Sequence, residues 1–375
     1  MRRNRVDPEG LLEFSVVYTN RALNHMSRAF QEVLRDLSCG LKEVYHAQHV
    51  AIVPGNGTTG MEAVVRQLAK GKKCLCLRNG FFNFRWSQIL NLSQLCSAEV
   101  VIKAQSVSAV HYSAYVPATL EEVIKRIREE RPNLVFATHV ETSSGIRLTE
   151  AYIKEVARVT HEVGGWLIVD SIASGATWLD MQELNIDLLL TAPQKCWAST
   201  PCCALIMVNG AMRQYIDQTQ SDSFALDLKK WFETMEVYER GGFAYYATMP
   251  TDSLKQLRDS MAEAKKLGLK NLKIQQEVLG REVRKLLKMR GFSLVADDAF
   301  AAWSIVVAYT DDLNIHSGKK WAEVGVQISS GVPLQCDEPS DFTTFRIGLL
   351  GWDKLNSVAS TVAELEQAIG RIQKL

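Results

Sequence analysis

Trp166-Leu167-Ile168-Val169-Asp170-Ser171 and, further along, Leu188-Leu189-Leu190-Thr191-Ala192-Pro193-Gln194-Lys195 are the stretches whose reading decides the fold. Each is a short apolar run without the alternation of a half-exposed strand, as expected of a strand covered on both faces. Each run leads to a charge, and an unpaired charge beside a buried strand is costly. A helix cap or a salt bridge would explain Asp170 alone, and a strand-end lysine reaching solvent would explain Lys195. The spacing weakens both explanations, because 195 − 170 = 25 positions fit one crossover unit, with a helix between two parallel strands. In open α/β sheets ligands bind beyond the carboxyl ends of strands, so the two charges read as parts of one site. A lysine there can form an imine, and burial frees its amine by lowering its pKa. A carboxylate there can serve as counter-charge to a protonated pyridine nitrogen.

Working outward, strands are expected at 50–53, 73–77, 100–103, 134–138, 166–170, 187–191 and 204–208, alternating with amphipathic helices. This is an α/β pattern with one mostly parallel seven-stranded sheet. Thr119 and Glu122 form a capping box, and Gly164-Gly165 stop a helix that starts near Thr149. Residues 253–289 read as a linker helix. Strands at 292–295, 304–309 and 345–349 and a last helix complete a smaller α+β domain, dividing the chain into 1–252 and 253–375.

Bulk properties exclude several classes. The 375 residues carry a net charge of +1 at neutral pH, which gives no broad field for nucleic acid or an anionic membrane. No apolar run approaches the length of a membrane span. The basic opening Met1-Arg2-Arg3-Asn4-Arg5 lacks the apolar stretch of a secretory signal, so export is not expected. The ending Gln373-Lys374-Leu375 lacks the small first residue of a peroxisomal tripeptide and reads as a solvated helix end. Eight cysteines form no C-x-x-C pair and no zinc-spaced cluster, so a reducing compartment, the cytoplasm, and no metal are expected.

Two further positions carry chemistry. Val53-Pro54-Gly55-Asn56-Gly57-Thr58-Thr59-Gly60 follows the first core strand and opens a helix expected near Met61, a phosphate cradle by its glycines, its amides and its hydroxyls. It is neither a P-loop nor a dinucleotide fingerprint, and alone it could be only a tight turn. Arg346 lies inside Phe345-Arg346-Ile347-Gly348-Leu349-Leu350-Gly351, where arginine usually meets a carboxylate of the protein or of a ligand.

Taken together these motifs resemble the class V aminotransferases of fold type I, near the alanine–glyoxylate, serine–glyoxylate and 2-aminoethylphosphonate–pyruvate transaminases. The resemblance runs from about residue 14 to the end. It rests on the ordered series of the glycine loop, Asn79-Gly80-Phe81-Phe82, Glu141-Thr142-Ser143-Ser144-Gly145, Val169-Asp170-Ser171, Gln194-Lys195 and Arg346-Ile347-Gly348. It implies pyridoxal 5′-phosphate as cofactor, linked to Lys195, with Asp170 at the pyridine nitrogen. It further implies amides of Asn56, Gly57 and Thr58 and the side chain of Gln194 on the phosphate, Phe82 stacked on the ring, Thr142 beside it, and Arg346 on the substrate carboxylate. Tyr245-Tyr246-Ala247-Thr248 matches a segment that reaches the partner's site, which implies a homodimer with Tyr245 and Thr248 at the phosphate. Phe82 stands where many relatives have tryptophan, and Asn56 and Thr142 where serine is common, which bears on substrate preference.

The implied reaction moves an amino group from a small amino acid, or an aminophosphonate, to a small 2-oxo acid such as glyoxylate or pyruvate. A lyase related to the cysteine desulfurases is the enzymatic rival, since Cys336 lies ten positions before Arg346 (346 − 336) and could act as a thiolate on a mobile loop. A cofactor-retaining regulator is the non-enzyme rival. His139 reads as a structural histidine, and Glu141 either pairs with a basic group or caps the loop.

Overall fold

The computed structural model describes residues 6–374, so the basic opening 1–5 and the last residue of the terminal tripeptide lie outside the described residues. The seven anticipated strands form one sheet: β1 (His49–Pro54), β2 (Lys73–Arg78), β3 (Ala98–Lys103), β4 (Leu134–Thr138), β5 (Trp166–Asp170), β6 (Leu188–Thr191) and β7 (Cys203–Val208), in the order β1-β7-β6-β5-β4-β2-β3. Only β7 runs against its neighbours; the β2–β3, β2–β4, β4–β5 and β5–β6 ladders are parallel. The eleven residues 192–202 that connect β6 to β7 include a short helix, and a parallel return would need a longer crossover. Strands β4, β6 and β7 are buried throughout, which accounts for their unbroken apolar runs, whereas the edge strand β3 is largely half-exposed.

The helices before residue 290 are α1 (Arg28–Tyr45), α2 (Gly57–Leu68), α3 (Phe81–Ser93), α4 (Leu120–Glu130), α5 (Glu150–Glu162), α6 (Pro193–Cys196), α7 (Gly210–Asp217), α8 (Leu228–Glu239), α9 (Thr251–Leu267) and α10 (Leu269–Met289). Thr119 caps α4 by accepting from the Glu122 amide, but the reciprocal half of the expected capping box does not form, since the Glu122 carboxylate instead accepts from Gln105 Nε2 at 3.3 Å. Helix α2 starts at Gly57, four positions before the expected Met61, because Asn56 supplies the cap.

Three expectations are corrected. The segment between β5 and β6 is not a helix but a run of turns over 171–187. Its small polar residues satisfy one another and the backbone instead: Ser171 Oγ lies 2.7 Å from Ser174 Oγ, and Ser304 Oγ donates to the Ala173 carbonyl at 2.6 Å. Residues 253–289 are two helices rather than one, broken at Gly268, whose φ of 87° suits glycine. The strand expected at 292–295 does not form. Its backbone is shared between two partners, the Val295 amide donating to the Val307 carbonyl and its carbonyl accepting from the Tyr115 amide.

The later part of the chain builds a three-stranded antiparallel sheet of β8 (Ile305–Tyr309), β9 (Ser329–Ser330) and β10 (Thr344–Gly348), ordered β8-β10-β9, and a final helix, Val358–Ile372. A small apolar cluster including Tyr115, Val140, Ala173, Val307 and Leu334 joins this sheet to loops of the larger one. No helix among the described residues is long and apolar enough to cross a membrane.

Candidate active site

Beyond the carboxyl ends of β1, β4, β5 and β6 lies a cavity of ≈ 160 Å³ lined by Asn56, Gly57, Thr58, Phe82, Thr142, Asp170, Gln194 and Lys195 among others. The topology explains the convergence, since Asp170 ends β5 in register with Leu190 of β6 and Thr138 of β4. Lys195 rides on α6, a single turn started by Pro193 at its first position. The Asp170 carboxyl is buried and, among the described residues, accepts only the Ile172 amide, at 2.9 Å. Burial pushes its pKa up to about 7, against the pull of that amide and of Lys195. Burial also pushes the Lys195 amine down, with Asp170 acting the other way. No hydrogen bond or ion pair of Lys195 forms among the described residues.

The glycine loop is held by a reciprocal cap. Asn56 Oδ1 accepts from the Thr59 amide at 3.1 Å, and the Asn56 amide donates to Thr59 Oγ1 at 3.3 Å. Of the three amides expected to face an anion, that of Asn56 is therefore engaged within the loop. Gly57 and Thr58, the first two helical positions, have no intrahelical acceptor and remain open. Gly57 packs closely, since a Cβ there would meet Ile172 Cδ1 at 2.5 Å and push that side chain aside.

Arg85, which the sequence reading did not single out, completes this end of the cavity. It lines the cavity from α3 and donates from Nη1 to Thr58 Oγ1 at 2.8 Å. Its only signal in the sequence was its place three residues after Phe82, on the same helical face. The start of α3 is fixed from afar. Gly80 offers no side-chain cap, and the buried Glu141 carboxylate instead accepts the amides of Phe82 at 3.3 Å and Asn83 at 2.8 Å. It also accepts the Ser143 amide at 2.9 Å and Ser143 Oγ at 2.8 Å, so Glu141 acts as a cap and not as one half of an ion pair.

Three cations surround the Phe82 ring: Arg85 Cζ at 5.2 Å, Arg346 Cζ at 5.5 Å and Lys195 Nζ at 5.6 Å from its centroid. Arg346 sits half-buried on β10 and donates from Nε to the Ser330 carbonyl at 2.8 Å. Burial lowers its pKa, with Glu141 acting against this, and no carboxylate lies within ion-pair distance of it among the described residues. Such a gathering of cations in a half-dry site is repulsive unless an anion is shared.

Other expected residues lie elsewhere. Tyr245 is exposed, with its hydroxyl 3.1 Å from Thr248 Oγ1 and its ring beside His25, so neither Tyr245 nor Thr248 reaches the cavity of its own chain. Cys336 is buried, with its thiol pushed up to about 12 chiefly by burial and its amide fixed to Glu338 Oε2 at 2.8 Å. A neutral thiol on a tethered loop is the reverse of what the lyase reading needed. His139 is a structural residue, as expected: its Nδ1 lies 2.7 Å from Ser174 Oγ, and burial pushes its pKa down to about 3.

The family model described as aminotransferase class-V matches residues 11–336. The chain belongs to the class V aminotransferase family. Among relatives of this class V transaminase, alanine–glyoxylate aminotransferase of Rattus norvegicus is 25% identical over 369 residues, covering 94% of this chain and 84% of the relative. L-aspartate–glyoxylate aminotransferase of Paracoccus denitrificans is 25% identical over 279 residues, covering 73% and 67%. The solved structure of alanine–glyoxylate aminotransferase from Nostoc sp. shares the fold with a TM-score of 0.80 at 20% identity, covering 94% of this chain and 89% of that one.

Members of the family use pyridoxal phosphate, and the transaminase cavity fits it. Thr142 Oγ1 and Gln194 Oε1 are buried in its lining without a hydrogen-bond partner, and native proteins seldom leave such atoms unsatisfied. The open amides and Arg85 suit a phosphate, and the under-bonded Asp170 suits a ring N–H.

Proposed function

We propose that this transaminase moves an amino group from a small amino acid, alanine- or serine-like or an aminophosphonate, to a small 2-oxo acid such as glyoxylate or pyruvate. The observation that carries the reading is the convergence of Lys195, Asp170 and the Arg85–Thr58 pair on one cavity, with Arg346 across the Phe82 ring, which offers separate places for a cofactor phosphate and a substrate carboxylate. The glyoxylate-using relatives support small substrates.

Bound pyridoxal phosphate supplies an electron sink that acidifies the substrate Cα–H. Lys195 would hold the cofactor covalently, and its Nζ, when free, would serve as the base that takes the substrate Cα proton. Asp170 keeps the ring nitrogen protonated. The amides of Gly57 and Thr58, the Thr58 hydroxyl, Gln194 and Arg85 hold the phosphate, with Asn56 bracing the loop. Phe82 packs on the ring, Thr142 bonds beside it, and Arg346 orients the substrate carboxylate. Tyr245 and Thr248 of the partner subunit complete the phosphate site, which makes the enzyme a homodimer. The domain division at 252/253 and a cytoplasmic location belong to the same reading, and the eight free cysteines support a reducing compartment.

The test is to mix the yellow holoenzyme with a panel of amino acids and record absorbance. Donors move the visible band to that of the aminated cofactor. Absence of a shift with every amino acid, together with sulfide release from cysteine, would replace transamination by desulfuration.

A further inference from the structure

Apart from the cofactor cavity, a second and larger groove, ≈ 660 Å³, lies between α10 and residues 298–303, with Arg147 in its wall. Its lining includes Arg147, Arg281, Arg284, Lys285 and Lys288, with Asp298 as the only carboxylate. Asp298 is already taken by Arg284 and Lys288, and Arg281 pairs with Glu277 just outside. Five cations thus face two carboxylates. Arg147 and Lys285 have no acid within ion-pair distance among the described residues.

Arg147 is the distinctive member. Its guanidinium stacks on the Trp303 indole, 4.2 Å from the ring centroid, and its Nε donates to the Ala301 carbonyl at 3.4 Å. Burial lowers its pKa, with Glu150 and Glu277 acting against this and Arg281 adding to it, and no acid lies within ion-pair distance of it among the described residues. Arg147 pairs with Val140 across a two-residue ladder, and Ile146 bridges Ala301, so the groove wall is tied at both edges. The stack presets the plane of a fork of donors before any ligand arrives, which lowers the ordering cost of binding.

We propose that this groove is a second ligand site, which takes a small phosphorylated molecule with its phosphoryl head on Arg147 and Lys285. The excess of three cations matches a phosphoryl or diphosphoryl group better than a single carboxylate, and guanidinium meets phosphate bidentately. The volume lies in the range of small-molecule pockets and exceeds what one ion needs. The groove shares no lining residue with the cofactor cavity, so it can be occupied while the cofactor is bound.

Inorganic pyrophosphate is the probe, titrated calorimetrically at low salt into enzyme saturated with pyridoxal phosphate, so that the cofactor cradle is already filled. One saturable site per chain is expected. Arg147→Gln/Lys285→Gln should weaken it at least about tenfold and Lys285→Gln alone about threefold, and both variants should keep the amino-acid-induced absorbance change. Lys285 is exposed, so its variant tests the site without disturbing packing. Heat without saturation, equal affinity in wild type and both variants, or binding abolished by Arg346→Gln but not by the groove variants would overturn the proposal.

Discussion

Asp170 and Lys195 perturb each other inside one dry cavity, and the outcome depends on what lies between them. Without cofactor, burial dominates at both: the carboxyl holds its proton up to about pH 7 and the amine is depressed. Between about pH 4 and 7 the native state therefore keeps a proton that the unfolded chain releases, so this contribution to stability, of order 4 kcal/mol, is lost as pH rises through that window. Asp170→Asn should make the cofactor-free protein less pH-sensitive there and more stable at pH 8, measured by urea unfolding, while lowering transaminase activity by orders of magnitude. A wild-type-like pH slope in the variant would refute the assignment. Lys195→Ala should yield protein with no borohydride-fixable cofactor; a fixable link would mean another lysine carries it. Arg85→Gln should weaken cofactor binding about tenfold by fluorescence titration, because it removes a charged donor at the phosphate while leaving the amides in place. Unchanged affinity would remove Arg85 from the phosphate site.

At the scale of elements, the helices α2 and α3 both begin at the cavity, and neither start depends on regular structure alone. Helix α2 is capped locally by Asn56 and Thr59, partners only three residues apart, although the sequence reading placed its start at Met61. Helix α3 is capped by Glu141, 58 positions from Asn83, and that arrangement was not visible. Glu141→Ala leaves three amides without an acceptor, so a loss of about 3 kcal/mol in unfolding free energy is expected, with Phe82 displaced and the cofactor bound less tightly. A variant as stable as wild type would show that water replaces the carboxylate without cost. The same contrast explains the turn-rich crossover. Trp178, Leu179 and Met181 gave 171–187 an apolar content that reads as helical, whereas Ser171, Ser174 and Gly175 take bonds and backbone angles that end helices.

At the scale of the whole molecule, the apolar surface left exposed by one chain, including Leu11, Phe14, Val16, Phe224 and Phe243, accompanies Tyr245 and suits burial against a second copy. If Tyr245 serves the partner's cofactor, inactive Lys195→Ala and Tyr245→Ala subunits should complement when unfolded and refolded together. About one quarter of the sites should then be intact, half of the dimers being mixed with one good site each. No recovery on mixing would place each site within a single chain.

By itself the sequence determined the seven core strands, the carboxyl-end residues Asp170 and Lys195, the glycine loop and the family, because apolar runs, caps and tight turns are written in near neighbours. Tertiary structure alone decided that Asn56 turns its amide inward, that Glu141 anchors α3, and that Cys336 is sealed as a neutral thiol. It also brought Arg346 to Phe82 across 346 − 82 = 264 positions and set Arg147 on Trp303. The physical reason is common to these cases: burial and charge are fixed by what packs against a group, and chain spacing does not carry that information.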